Sequence, residues 1–300
     1  MLFIVNPYFL GLELLVLVLF GLCMRHAWRQ GGLKVWELLA GVVYGILLEW
    51  ATIQQLRAYE YGQFAIMVGE LPLAVGFAWG TIIYSLRLFS DASSLPLWLR
   101  PALDGLLALN IDLAMDAVAI RLGMWDWGMG TRNQYFGVPY ANFWAWFWVV
   151  FSFSFGLRLL SYQGGRLRRW FAPLGAILIG LVGVTGTNHF ITGIVSQDGY
   201  LPTILIALGS AFWVVLWTRP RLSIYKVDPI AFWVPTGFHV YFLVTGLFSG
   251  VLLGSPILLV VSLGMLLLAL HLHRSTLIPL FSNHRKNLGL DRRPQRQSNP

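Results

Sequence analysis

The chain runs again and again for about twenty residues with almost nothing but apolar side chains. A helix that crosses ~30 Å of hydrocarbon needs about 20 such residues, so this recurrence constrains the fold more than any other feature. Nine runs can be drawn, at 7–24, 35–56, 64–86, 98–120, 141–162, 171–195, 201–218, 230–251 and 254–273. Only 11% of the residues are charged, against about 25% in a soluble domain. The expected fold class is all-α: a polytopic transmembrane helical bundle formed by one integral membrane domain, residues 1–275. A β-barrel is disfavoured, because its strands would be about ten residues long with strict alternation.

The basic residues support the same reading. Of 21 Lys and Arg, 18 fall in alternate connections and the final segment, and only Arg57, Arg121 and Arg132 fall in the others. Such an alternating bias is the positive-inside pattern. It places the N-terminus outside and the C-terminus in the cytoplasm, and it favours nine spans, with eight as the alternative. The first run lacks a basic segment before it, so it reads as a retained helix rather than a cleaved signal. Residues 276–300 read as a basic, disordered cytoplasmic tail lying near anionic lipid. The net charge of +8 is therefore a topology signal. It points to the lipid bilayer as partner and not to nucleic acid; the expected location is a prokaryotic cytoplasmic membrane. The oligomeric state is not legible.

Carboxylates inside such runs cost roughly 2.5–3.5 kcal/mol each by insertion scales, so their positions carry information. The stretch "NIDLAMDAVAIRLGMWDWG", residues 110–128, ends the fourth run with Asp112 and Asp116. Glu49 lies late in the second run, Glu70 early in the third, Asn142 opens the fifth, and Asn188 and His189 lie late in the sixth. On the expected topology all of these fall in the outer half of the membrane. Glu13, Glu37, Asp104 and His239 fall outside the cluster. Asp112 and Asp116 are four apart and share one helix face. Two neighbouring carboxylates do not both ionise cheaply, so one is expected to keep its proton. A neutral carboxyl is what acid catalysis on a poor base requires. The competing reading is that both acids reach water at the helix end or cap the following loop.

The segment after Gly123 is rich in Trp125, Trp127, Tyr135, Tyr140, Trp144, Trp146 and Trp148. These suit an interfacial aromatic belt or a π-lined pocket for a polyene or a cation; their number alone does not separate the two.

Several chemistries lack their signatures. No GxGxxG follows a strand, which argues against a dinucleotide fold. Cys23 is the one cysteine, and the six histidines do not form clustered His boxes. Asn110, Asp112 and Asp116 resemble half of a Mg²⁺-diphosphate motif, but no second aspartate-rich motif exists. No metal and no cofactor are expected.

The segments "GILLEW", "AYEYGQFAIMVGELPLAVGFAW" and "DLAMDAVAIRLGMWDWG…YFGVPYANFWAW" resemble the membrane carotenoid biosynthesis proteins. That family includes the carotenoid 1,2-hydratases and bisanhydrobacterioruberin hydratase. The positions carried over are Glu49, Tyr59, Tyr61, Pro72, Asp112, Asp116, Trp125, Trp127, Tyr135, Gly137, Pro139, Asn142, Phe143 and Trp146, and the likeness covers about residues 41–150. Ala117 and Ala145 depart from the family's Pro and Gly, and Glu70 stands in a "GELPL" where the family has "GVPL".

The resemblance implies addition of water to the terminal double bond of a carotenoid ψ-end, giving a tertiary alcohol, with no cofactor. Asp112 or Asp116 would be the acid, with Glu49 as its partner or as the base that activates water. Asn142, Tyr135 and Tyr59 would orient water. Trp125, Trp127 and Trp146 would line the cation site, and Tyr61 and Phe143 complete the substrate-binding set. A lipophilic carotenoid or related isoprenoid is the expected substrate. A membrane carotenoid cyclase shares the protonation step and stays open as an alternative, as does another isoprenoid-lipid enzyme. A non-enzymatic transporter or carotenoid-binding scaffold also stays open; a transporter predicts broken helices and a midplane site.

Overall fold

Prolines and short polar caps set where the helices begin. Asn6 accepts from the Tyr8 amide at 3.0 Å ahead of Pro7, and Asp228 accepts from the Ile230 amide at 2.8 Å ahead of Pro229. Both place a pre-set φ and a capped N–H in the first turn. The computed structural model describes residues 6–53, 59–132, 134–162, 165–221 and 227–274. Among these residues nine helices form one bundle. They are α1 (Pro7–Gln30), α2 (Gly32–Ala51), α3 (Leu73–Asp91), α4 (Arg100–Arg121), α5 (Tyr140–Ser161), α6 (Arg166–His189), α7 (Tyr200–Trp217), α8 (Pro229–Phe248) and α9 (Pro256–Leu272). A π-helical turn, Phe190–Ile194, extends α6. Four two-residue strands make two small antiparallel ladders, β1 (Glu60–Tyr61) with β4 (Trp125–Asp126) and β2 (Met67–Val68) with β3 (Leu71–Pro72).

Six helical segments are long and apolar enough to cross a membrane: α1, α3, α5, α6 with its π turn, Gln197–Trp217 and α8. That is the make-up of an integral membrane protein. α9 is apolar but has only 17 residues. α2 and α4 carry acids along their length: Glu37 and Glu49 in one, Asp104, Asp112 and Asp116 in the other. The proposed tail, residues 276–300, lies outside the described residues, as does Arg57.

The burial of α4 explains its polarity. It is packed by α3, α5, α7, α8 and α9, and Asp104 and Asp112 are wholly covered. Its acids therefore meet protein groups rather than hydrocarbon. α7 is the opposite case, with Leu205, Ile206, Phe212, Trp213 and Leu216 on its open surface.

α2 and α3 approach closely through small residues at spacing four. A Cβ on Gly41 would stand 3.1 Å from the Gly80 Cα, and one on Gly45 would stand 2.5 Å from the Trp79 Cβ. Glycine pairs of this spacing let two apolar helices meet backbone to backbone.

The two ends of the bundle differ. One is held by ion pairs. Arg158 of α5 reaches Asp104 at 2.6 Å and Asp91 at 3.0 Å, and Arg87 reaches Glu37 at 3.1 Å. His26 lies between Asp228 at 2.9 Å and the Tyr84 hydroxyl at 2.8 Å. Removing one partner of such a covered pair leaves an uncompensated charge, typically a loss of about 3–5 kcal/mol. The other end carries the ladders and the long connections. There Glu13 accepts from the Ala65 and Ile66 amides at 3.2 and 3.1 Å. Arg121 donates to the carbonyls of Thr131 and Phe136, each at 2.7 Å, and pins the α4–α5 connection.

The third apolar run is drawn too early. Residues 64–72 are not helical: they form the approach to and the ladder of β2 and β3, and α3 starts at Leu73. Gly69 turns the chain at φ 64°, and Pro72 cannot donate into a preceding helical turn. Glu70 consequently sits exposed at the turn rather than inside a helix.

Candidate active site at the loop end

Glu49 is buried near the C-terminal end of α2, and three donors converge on it. Tyr61 donates to Oε2 at 2.9 Å, the Trp79 indole donates to Oε1 at 2.7 Å, and Tyr59 also donates to Oε2. The α2–α3 glycine contact sets the Trp79 bond, because it brings the Trp79 backbone against Gly45, one turn before Glu49. The two tyrosines arrive on β1 and the residue before it, held beside β4 with Tyr61 opposite Trp125. Burial, and next the Glu49 carboxylate, push both phenols well above the usual tyrosine range, so each stays a donor.

A second acid group stands on α4. Asn142, in the first turn of α5, donates through Nδ2 to Asp116 Oδ2 at 2.7 Å and to Asp112 Oδ1 and Oδ2 at 3.2 and 3.3 Å. Asp112 and Asp116 thus sit side by side on one amide. Asp116 Oδ1 is buried and has no hydrogen-bond partner among the described residues.

These groups line one cavity of about 200 Å³. Its wall includes Glu49, Asp116, Asn142, Tyr59 and Tyr61, together with Trp79, Trp125, Trp127 and Trp146. The rings pack on one another: Tyr59 with Trp127 and Trp79 with Trp146, each with centroids 4.5 Å apart. Leu12, Val16, Ile82 and Phe238 line it from α1, α3 and α8; Val184, Asn188 and Thr192 line it from the α6 side. Such a wall presents π faces and aliphatic surface to a ligand, with carboxyl oxygens in between.

Of the residues singled out from sequence, Glu49, Asp116, Asn142, Tyr59, Tyr61, Trp125, Trp127 and Trp146 meet at this cavity. Asp112 stands behind Asp116 and reaches the cavity through it and Asn142. Tyr135 and Phe143 do not form part of the wall. The Tyr135 hydroxyl donates to the Leu113 carbonyl at 2.8 Å, and its ring meets Phe143 edge-on at 5.0 Å, so both brace α4 against the following connection. Trp79 and Thr192 are wall residues that sequence inspection passes over. Among the described residues no group of three or more His, Cys, Asp or Glu side chains is spaced to hold a metal ion.

The profile of a family described as "Carotenoid biosynthesis protein" matches residues 12–216, more than half of the chain. The chain belongs to the carotenoid biosynthesis protein family. The matched region contains all of α2 to α6, and so every carboxyl and ring of the cavity described above except Phe238 of α8. No curated protein and no solved structure matches the chain. A role in carotenoid biosynthesis follows from membership, and the apolar helices and cavity wall fit a lipophilic isoprenoid substrate.

Proposed function

We propose that this family member is a cofactor-independent hydratase that adds water to the terminal double bond of a carotenoid ψ-end. One observation carries the reading: two acid groups with different hydrogen-bond partners line one aromatic cavity. The Asp112–Asp116 pair shares one amide donor, and Asp116 keeps an unpartnered oxygen. Glu49 is saturated with donors.

In this mechanism a single proton held by the aspartate pair passes from Asp116 to the less substituted alkene carbon. The π bond becomes a C–H bond, and a tertiary cation remains on the neighbouring carbon. The faces of Trp79, Trp127 and Trp146 stabilise that cation, because an aromatic ring presents negative charge to a cation above it. Water attacks the cation and loses a proton to Glu49. The sum is alkene plus water giving a tertiary alcohol, with no electrons gained or lost. A protonated carboxyl on one side and a donor-stabilised carboxylate on the other are the acid and base this requires.

The same reading places the protein in a prokaryotic cytoplasmic membrane with nine spans, the loop end outside and the ion-paired end in the cytoplasm. The substrate enters from the bilayer on the side of Thr192, an exposed wall residue of the π turn. The test is expression in a bacterium that makes lycopene or γ-carotene, with pigments analysed by mass. Gain of one water supports the hydratase. A new pigment of unchanged mass would assign ring closure instead, because a cyclase shares the protonation but loses a proton afterwards. Unchanged pigment at normal protein level would leave a carotenoid carrier or scaffold.

A further inference from the structure

Glu13 is a buried carboxyl inside an apolar helix, and it takes no part in the cavity wall, although its neighbours Leu12 and Val16 do. Each of its oxygens takes one backbone amide of the α2–α3 connection. Oε2 accepts from Ala65 at 3.2 Å, and Oε1 accepts from Ile66 at 3.1 Å. Both amides lie outside any helix or ladder, so no regular pairing serves them. Hydrogen bonds to a charged acceptor are about twice as strong as neutral ones. The post that carries Glu13 is itself fixed: Tyr241 of α8 donates to the Tyr8 carbonyl, and Phe9 packs on Phe64 with centroids 4.7 Å apart.

The connection held in this way is the one that carries the tyrosines of the site. Tyr59, Tyr61 and Phe64 all line the cavity. The Gly62 amide donates to the Met124 carbonyl at 2.9 Å, and the Leu73 amide ties the far end to the Ile66 carbonyl at 3.0 Å. Tyr59 and Tyr61 supply two of the three donors on Glu49; the third, Trp79, stands on α3.

We propose that Glu13 is a positioning residue for water capture: by gripping the Ala65 and Ile66 amides it holds Tyr59 and Tyr61 on Glu49. The proposal rests on the hydratase reading, in which Glu49 takes a proton from the attacking water. Glu13 touches neither substrate nor water. It acts through the connection, which without it keeps the β1–β4 ladder of two residues a side and loses its tie to α1. Two donors then leave Glu49 for part of the time, and its oxygens are no longer aimed by them. Protonation by Asp116 on α4 does not depend on this connection. The tertiary cation therefore still forms, and it returns to alkene by losing a proton more often than it captures water.

Two variants in lipid nanodiscs test this: Glu13→Ala, which removes both acceptors, and Glu13→Gln, which keeps one oxygen. Amide hydrogen exchange is read first. In Glu13→Ala, peptides covering residues 62–68 should exchange faster by on the order of tenfold, the size of one lost charge-assisted hydrogen bond. Peptides of α4 and α5 should keep the wild-type rate, and Glu13→Gln should fall in between. Each protein is then given an acyclic ψ-end carotenoid in D₂O, and the ratio of deuterium-bearing recovered substrate to alcohol is measured by mass. That ratio should rise about tenfold in Glu13→Ala, part of the 10²–10⁴-fold that a general base contributes, and less in Glu13→Gln. Only molecules that have been protonated enter the ratio, so a smaller folded fraction leaves it unmoved. Unchanged exchange at 62–68, faster exchange throughout the bundle in both variants, or alcohol and deuterated substrate falling in proportion would each overturn the role. If the wild type itself adds no water, the hydratase reading fails first, and the role of Glu13 in water capture falls with it.

Discussion

The Asn142 amide donates to Asp116 across 2.7 Å, from the first turn of α5 to the last turns of α4. The same nitrogen also reaches Asp112, so one neutral side chain fixes the separation of two carboxyls. Asn142→Leu keeps the volume and removes the donor. It is expected to lower thermal stability by about 1–3 kcal/mol, the cost of leaving buried polar groups unsatisfied. Conversion should fall more than tenfold. Melting in detergent and pigment analysis per unit protein measure the two effects separately.

Asp116 and Asp112 should not be equivalent. Asp116 faces the cavity and Asp112 stands behind it. Asp116→Asn keeps the shape and removes the transferable proton, so conversion should drop by about 10²–10⁴-fold. Asp112→Asn leaves a proton source in place but loosens the shared proton, and a loss nearer tenfold is expected. Near-normal turnover by Asp116→Asn in membranes would remove it as the acid.

Glu49→Gln separates protonation from water capture. The Gln oxygen can still accept from Tyr61 or Trp79, but its NH₂ faces donors. The cation should form and collapse back to alkene by losing a proton. In D₂O the recovered substrate is expected to gain deuterium without forming alcohol, read by mass spectrometry. Recovery of unlabelled substrate would show that Glu49 acts before the cation forms.

The α4–α5 connection turns at Gly137, with φ 89°. A Cβ there would stand 2.7 Å from the Gly130 carbonyl oxygen and 2.8 Å from the Thr131 Cα. Gly137→Ala should therefore cost about 1–3 kcal/mol. It should also reduce conversion, because this connection leads into Asn142. A variant that melts with the wild type would show that the turn yields freely.

The orientation proposal is tested by fused reporters. A reporter after Gly289 should read as cytoplasmic, and one within residues 196–200 as external. Both reporting from one side would rule out the nine-span arrangement.

Much of the bundle was legible because apolar run length and helix length are the same physical quantity in a bilayer. The runs 98–120, 141–162 and 201–218 differ by no more than two residues at either end from α4, α5 and α7. The failure at 64–72 has a local cause. Its residues are apolar enough for a helix, but Gly69 and Pro72 turn them into a ladder, and hydropathy does not weigh backbone conformation. At the site, acids buried in apolar helices announce themselves by their cost. Trp79 does not, since a tryptophan in an apolar helix reads as core. The available signal was the spacing of Gly41 with Gly45 and of Gly76 with Gly80, which marks helices that approach closely enough for one to reach the other's carboxylate. The spacing of Asp112 and Asp116 placed them on one face, but which of the two meets the cavity depends on helix rotation, which only packing decides. Tyr135 shows the converse: its motif position suggested a ligand contact, and tertiary structure gave its hydroxyl to a helix carbonyl.

The enclosure of α4 also bears on how the protein is made. During synthesis α4 emerges before α5, so Asp112 and Asp116 leave the ribosome before Asn142 exists to meet them. Until α5, α8 and α9 arrive, a helix whose polarity suits a protein interior has no interior to enter. A newly made α4 is therefore expected to stay at the insertion machinery, or against α3, until its later partners close around it. Truncations ending between α4 and α5 should therefore be recognised and degraded, whereas those ending after α9 should accumulate.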